Sequence, residues 1–458
     1  MISIHNFNID EYQQNFKPSK LNKELYGEVN TPFHLIEEML YNIPKEHLMN
    51  PKLKWLDPAA GRGYYMMCLF NILMKTLKTK IKDDTERKNH ILNNMLYMVE
   101  YNIDNYDYLI EFFGEKPNII NNDFLETSYN FEFDIIIGNP PYNFQGLKKV
   151  PTNNTKQKKS DGITVWGDFI KHSVSLLKDN GFLSFIVPSL WMKPDKMKMY
   201  NFLLQYKIHT IKTYNNTETL KLFKGQAQTP TCYFLLEKAK NVNTINLYNK
   251  YLKKYELYNF NFGKPIPLFA ASIVNKLMSF TYIYGNLPVI KTNMPPKGII
   301  ISNTKTKEFP YSNITTTLLK NNQPTLKINY SNEKCLFHGM EKLVLANKMY
   351  GFPYYDISGN YGISNRDNYI VLLNIQNDKE RKDKYLLLKE FLSTKLIMFL
   401  YETTRYRMKY LEKYVFQFIP DITKMDFCID NMYEIFNLSN QEIKIIENYS
   451  NKNYGSFL

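Results

Sequence analysis

Asn139-Pro140-Pro141-Tyr142 closes an apolar run, Asp134-Ile135-Ile136-Ile137-Gly138, and presents one amide, two prolines and one aromatic ring at a strand end. Those residue types suit chemistry on a planar nitrogen, such as the exocyclic amine of a nucleobase. The Asn139 side-chain oxygen can accept one N–H of the amine. A peptide carbonyl of the Pro-Pro step can accept a second, because proline fixes its backbone and has no N–H to compete. Tyr142 offers a ring face to a base removed from its stack. A strand followed by an ordinary Asn-Pro turn explains the same residues without chemistry. The remainder of the chain has to discriminate.

Such a turn needs a frame, and the first half of the chain supplies one. Apolar strands are expected at Leu53 to Leu56, Met95 to Val99, Asn118 to Ile120, Phe133 to Ile137, Gly181 to Val187 and Thr229 to Leu236. Helical patterns fall at Tyr64 to Thr79, Ile103 to Phe113 and Phe169 to Leu177. The run at Phe133 is apolar throughout, as in a strand buried on both faces. This alternation predicts an α/β doubly wound, Rossmann-like sheet that binds ligands at the carboxyl ends of its strands. From about Tyr248 the alternation fades into short aromatic-rich strands, then one or two helices over Asp383 to Tyr414. The expected division is a first domain over 1–250, a mixed α+β domain over 275–440, and a C-terminal helix and tail over 441–458. Ser439-Asn440-Gln441-Glu442 has the form of a capping box.

Three further strand ends could grip a ligand. Leu56-Asp57-Pro58-Ala59-Ala60-Gly61-Arg62-Gly63 lies between a strand and a helix, and its small residues allow close backbone approach. It lacks the three-glycine dinucleotide fingerprint, which disfavours nicotinamide cofactors. Glu100 ends the next strand, where an acid can bind ribose hydroxyls. Asp123 and Phe124 follow the third, where a carboxylate can accept from an adenine amine and a ring can pack on a purine. Singly, each acid reads as well as a helix cap or a solvated charge. In this order, followed by Asn139 to Tyr142, they form a set.

The set resembles that of S-adenosylmethionine-dependent DNA adenine-N6 methyltransferases. Gly27-Glu28-Val29-Asn30-Thr31-Pro32-Phe33 resembles the segment that precedes the glycine loop in that family. The resemblance implies a cofactor site made of Thr31, Pro32, Asp57, Ala59, Gly61, Gly63, Glu100, Asp123, Phe124 and Asn139. It implies catalysis by Asn139, Pro140, Pro141 and Tyr142. A flipped base would stack between Tyr142 and Phe223, with Tyr233 or Phe234 as substitutes for the latter. Asp123 and Asn139 are too close in sequence for a recognition domain to sit between them. The order therefore resembles the gamma class, in which the target-recognition domain is C-terminal. The implied partner is double-stranded DNA, with a separate restriction endonuclease if the chain is the modification part of a restriction-modification system and none if it is an orphan methylase; oligomeric state is left open.

The chain has 458 residues and a formal net charge of +14, which suits a polyanionic partner or merely a soluble surface. Candidate phosphate contacts are Lys148 and Lys149, in a polar stretch with Lys156, Lys158 and Lys159, and Arg405, Arg407 and Lys409. A solvated linker and a solvated helix face are the alternatives. The four cysteines, Cys68, Cys232, Cys335 and Cys428, have no C-x-x-C spacing. That fits a reducing intracellular compartment, cytoplasmic or otherwise with access to DNA, and argues against a zinc site. The seven histidines are dispersed and no metal is expected. Neither a signal-peptide layout nor a membrane-length apolar run is seen.

Other planar-nitrogen substrates remain open: cytosine N4, ribosomal guanine, or a protein glutamine. A nuclease fused on the same chain is weighed on Asp430, Glu442 and Lys444. A DNA-binding specificity module with a dead catalytic fold is the non-enzymatic alternative.

Overall fold

The structure, a computed structural model, describes residues 3–4, 7, 9, 18–115, 118–145, 163–320, 323–348, 352–407 and 410–449. Two compact units divide the chain, Met1–Tyr248 and Asn249–Leu458.

In the first unit the strands are β1 (Trp55–Asp57), β2 (Leu96–Glu100), β3 (Ile119–Asn121), β4 (Phe133–Gly138), β5 (Asn143–Phe144), β6 (Ile163–Thr164), β7 (Leu177–Pro188), β8 (Tyr206–Tyr214), β9 (Thr231–Lys240) and β10 (Thr244–Asn249). All but β5 and β6 are neighbours in one sheet, in the order β10-β8-β9-β7-β4-β1-β2-β3. The run from β3 to β7 is parallel, and β9 is antiparallel to both β7 and β8. Chain order reverses between β1 and β4, whose pairing sets Leu56 beside Ile136. The carboxyl ends of β1 and β4 therefore open the crevice where such sheets bind ligands. The α/β doubly wound expectation holds.

Sequence pattern explains why these strands are central. Every residue of β1 is buried, as are Ile135, Ile136, Ile137 and Gly138 of β4, which fits strands covered on both faces. Helix α1 (Lys20–Tyr26) precedes α2 (Phe33–Tyr41); α3 (Tyr64–Thr76) follows β1, α4 (Ile103–Phe113) follows β2, and α5 (Trp166–Leu176) precedes β7. Helix α3 buries Tyr64 to Phe70 without a break, so it lies deep in the core and not on a surface. It stops at Thr76, whose hydroxyl donates to the Leu48 carbonyl at 2.5 Å, short of the expected Thr79. The α4 bounds match expectation.

The second unit mixes short sheets and helices. One four-stranded sheet joins Ile290–Lys291, Asn368–Val371, Lys342–Ala346 and Tyr354–Asp356; another joins Ile301–Ser302, Gln323–Ser331, Tyr311–Lys320 and Gly362–Ile363. A buried ion pair fixes the first: Lys342 Nζ donates to Asp356 Oδ2 at 2.6 Å and to the Phe337 and Met340 carbonyls at 3.0 Å. Helices follow at Asp378–Phe391, Lys395–Thr403 and Asn440–Glu447, the last opened by the expected capping box of Ser439 and Glu442. Among the described residues no helix is long and apolar enough to cross a membrane.

Candidate active site

A cleft of about 1040 Å³, its open mouth included, lies at the carboxyl ends of the first unit's parallel strands. It brings together eight of the expected site residues: Thr31, Ala59, Gly61, Glu100, Asp123, Phe124, Asn139 and Pro141. The glycine loop is tied to β2 by the Ala60 N–H, which donates to the Val99 carbonyl at 3.0 Å. Gly61 adopts φ +54, and a Cβ there would meet nothing within 4 Å. Its N–H donates to Glu100 Oε2 at 2.7 Å, and Asn102 N–H donates to Oε1 at 2.8 Å. Burial lifts Glu100 to about 7 against these hydrogen bonds, with a further push from Glu28.

Asn139 is held from one side. Its Nδ2 donates to Thr31 Oγ1 at 3.2 Å and to the Val29 carbonyl at 3.4 Å. With the amide nitrogen so engaged, the oxygen is left to accept from an incoming amine. The holding loop is set by close approach: Gly27 has φ +66, and a Cβ there would lie 2.6 Å from the Asn143 carbonyl oxygen and 3.1 Å from Pro141 Cβ. The Asn30 N–H donates to Gln226 Oε1 at 3.2 Å, fixing the loop's other end. Asp123 accepts from the Leu125 N–H at 2.9 Å, and Phe124 packs on Phe169 with ring centroids 5.3 Å apart.

The remaining expected residues stand elsewhere. Asp57 is fully buried behind the loop: Oδ1 accepts from the Ala59 N–H at 3.2 Å and Oδ2 has no partner among the described residues. Burial first, then the Glu100 carboxylate, push it up to about 8. It shapes the loop and does not line the cleft. Gly63 serves packing, since a Cβ would come within 2.7 Å of Phe113 and 2.8 Å of Leu109. Pro32 caps α2, and Pro140 is buried in the turn. Tyr142 is half-buried and its hydroxyl is enclosed, so burial, then Cys232, raises its pKa. Phe223 is a correction: it is 1 % exposed, in the core beyond the end of helix Asn216–Leu222, and offers no face to the cleft. Tyr233 and Phe234, its substitutes, are fully buried.

The phosphate candidates also change. Arg405 is a correction: it pairs with Glu402 at 3.1 Å and its side chain is only 15 % exposed, so its charge is spent internally. Arg407 faces Glu412 at 3.5 Å and is half-exposed. Lys148, Lys149, Lys156, Lys158, Lys159 and Lys409 lie outside the described residues. Glu442 is held by Ser272, Lys276 and Ser439, an ordinary capping arrangement that accounts for it without a nuclease. Among the described residues no group of three acids, histidines or cysteines could hold a metal. Residues not assigned a role from the sequence also line the cleft, among them Glu28, Asn105 and the aromatic pair Tyr26 and Tyr101, whose centroids are 5.9 Å apart. Tyr101 directly follows Glu100, a position that could have flagged it.

The donor set fits S-adenosylmethionine. Glu100 could take ribose hydroxyls, Asp123 and Phe124 a purine, and the open wall at Gly61 leaves room for backbone approach. Acids held above their usual range by burial suit a ligand that brings cationic centres and hydroxyl donors.

Residues 35–223 match the family described as Eco57I restriction-modification methylase, so the resemblance read from the motifs is borne out over that stretch. The Type II methyltransferase M.TthHB8I of Thermus thermophilus is 33% identical over 93 residues, 18% of this chain and 22% of that protein. The Type II restriction enzyme and methyltransferase RM.Eco57I of Escherichia coli is 28% identical over 141 residues, 28% of this chain and 14% of that protein. The chain thus spans less than a quarter of the length of these two relatives. The crystal structure of the type I restriction enzyme EcoKI M protein aligns with TM-score 0.38 at 16% identity, over 48% of this chain and 47% of that one.

Proposed function

We propose that the protein is a site-specific DNA methyltransferase that transfers a methyl group from S-adenosylmethionine to N6 of a flipped adenine. The observation that carries this reading is the Asn139 amide, whose nitrogen is engaged by Thr31 and Val29 and whose oxygen is left as an acceptor at the rim of the cleft. The match of residues 35–223 to a restriction-modification methylase family supports it. When bound, S-adenosylmethionine supplies an electrophilic methyl group on a sulfonium.

The chain's own task is to position a poor nucleophile. The adenine amine donates its two N–H bonds, one to Asn139 Oδ1 and one to a carbonyl of the Pro140-Pro141 step. Those acceptors favour a pyramidal nitrogen whose lone pair points at the methyl carbon. Glu100, Asp123 and Phe124 would hold the cofactor, which supplies the methyl to that nitrogen and leaves as the neutral thioether, with the surplus amine proton passing to water. Positioning and electrostatic preorganisation are the terms such a site contributes. Tyr142 stacks on the extruded base and offsets part of an unstacking cost of a few kcal/mol. The second unit reads the DNA sequence, and double-stranded DNA is the substrate within a restriction-modification system.

Modification-sensitive sequencing of plasmid DNA from cells expressing the protein, beside Asn139→Ala, tests this. N6-methyladenine in one short motif, lost in the variant, is the expected result. Soluble protein with unmodified DNA overturns it.

A further inference from the structure

Glu28 lines the cleft, yet the proposed reaction gives it no task. It stands on the loop between α1 and α2. Its Oε2 accepts from Asn22 Nδ2 at 3.5 Å and the Asn105 amide lies against the carboxyl, whereas Oε1 is buried with no donor in full hydrogen-bond geometry among the described residues. A buried carboxylate oxygen without a donor is costly, and a donor brought by a ligand removes that cost. The loop cannot swing the group into water cheaply. Gly27, beside it, is packed on Asn143 and Pro141; Asn30 is held by Gln226, and Thr31 by Asn139.

The partner that Glu28 lacks is indicated by its neighbours. Burial holds both Glu28 and Glu100 above the usual carboxylate range; Asn105, in the first turn of α4 and only 2 % exposed, lies against both and offsets part of that rise. Two acids therefore share one wall of the cleft beyond the end of β2. Glu100 already uses one oxygen for Gly61 and the other for Asn102, so its capacity for further donors is limited. A ribose presents two adjacent hydroxyl donors to that wall.

Resting on the reading of the cleft as an S-adenosylmethionine site, we propose that Glu28 is a second sugar-binding acid. Its Oε1 accepts one ribose hydroxyl while Glu100 accepts the other. The loop that holds Asn139 then also grips the cofactor, so one rigid segment aligns the target amine and the methyl donor.

Titration calorimetry with S-adenosylhomocysteine and its 2′-deoxy and 3′-deoxy analogues tests the assignment on the full chain. Glu28→Gln replaces a charged acceptor by a neutral one, so affinity for S-adenosylhomocysteine should fall about tenfold. The same substitution should cost nothing for one monodeoxy analogue, the one lacking the hydroxyl that Glu28 binds, and about tenfold for the other. Equal weakening for all three ligands means that Glu28 acts only by shaping the wall, and overturns the proposal; so does no weakening at all. If Glu28→Gln does not fold, Glu28→Asp retains the charge but withdraws the oxygen, and should give the same ligand pattern. Failure of the unmodified protein to bind any of the three ligands overturns the cofactor reading itself and is distinguishable from either result.

Discussion

Replacing Gly27 by alanine should cost far more activity than stability. The residue has φ +66, where an L side chain costs roughly 1–2 kcal/mol. The added Cβ would also lie 2.6 Å from the Asn143 carbonyl oxygen, a backbone atom that cannot rotate away. The turn must open by about half an ångström or more to reach ordinary contact. That movement bears on Pro141 and on the loop that holds Asn139. A displacement of about 1 Å at a reacting group costs about a hundredfold in rate, so a fall of between about ten- and a hundredfold is expected. Gly298→Ala is the control: its φ is +103 but a Cβ would meet nothing within 4 Å, so it carries backbone strain alone. At about 2–4 °C per kcal/mol for a domain of this size, both variants should melt a few degrees lower. Only Gly27→Ala should lose methyl transfer, measured as initial rates with radiolabelled cofactor. Full activity in Gly27→Ala, with the same melting shift as the control, would refute the claim that this contact sets the turn.

Three further outcomes are expected. Asp57 and Glu100 are held at about 8 and about 7, above the usual range near 4. The folded chain therefore keeps protons that the unfolded chain has released. Their contribution to ligand-free stability is full below about pH 4 and is lost as pH rises through the folded values; urea melts from about pH 5 to 9 should show the decline, and Asp57→Asn should flatten it. Lys342→Met leaves Asp356 buried and unpaired, which should destabilise the second unit by about 3–5 kcal/mol in denaturant titrations, and replacing Asp356 by Leu as well should recover most of the loss. Phe223→Ala should cost about 3–5 kcal/mol through the cavity it leaves, with little effect on target-base binding in the folded fraction. A selective loss of base flipping, read by 2-aminopurine fluorescence, would restore the stacking role.

What the sequence made legible was the part governed by local pattern. Strands buried on both faces announce themselves as unbroken apolar runs, as at Phe133 to Ile137. Strand β8 was not foreseen, because Lys207, His209 and Lys212 interrupt a half-buried strand whose charges are met by Glu237 and Glu38 from elsewhere in the chain. Strand β7 starts at Leu177, earlier than the expected Gly181, because Leu177 pairs with Phe133 across a register shift. The expected residues at strand ends, Glu100, Asp123 and Asn139, do line the cleft, because topology puts strand ends at the crevice. Phe223 was misread because spacing gives distance along a chain and not direction; the preceding helix turns it into the core. Glu28 was given no role because an acid in a loop reads as solvated, whereas Asn22 and Asn105, distant or unremarkable in sequence, lie against its carboxyl. The Arg405 ion pair did have a sequence signal, since Glu402 stands three residues earlier.

The placement of β9 between β7 and β8 bears on how the molecule is made. On a growing nascent chain, β8 leaves the ribosome before β9 yet has no strand on its inner side until β9 inserts antiparallel against both neighbours. Gln226, which pins the loop at Asn30 across 196 residues of sequence, emerges only just ahead of β9. Synthesis therefore yields the parallel strands, the glycine loop and Glu100 well before the sheet can close around them. Pairings of such long range form slowly, and the open edge of β7 is exposed to mispairing until the last strands arrive.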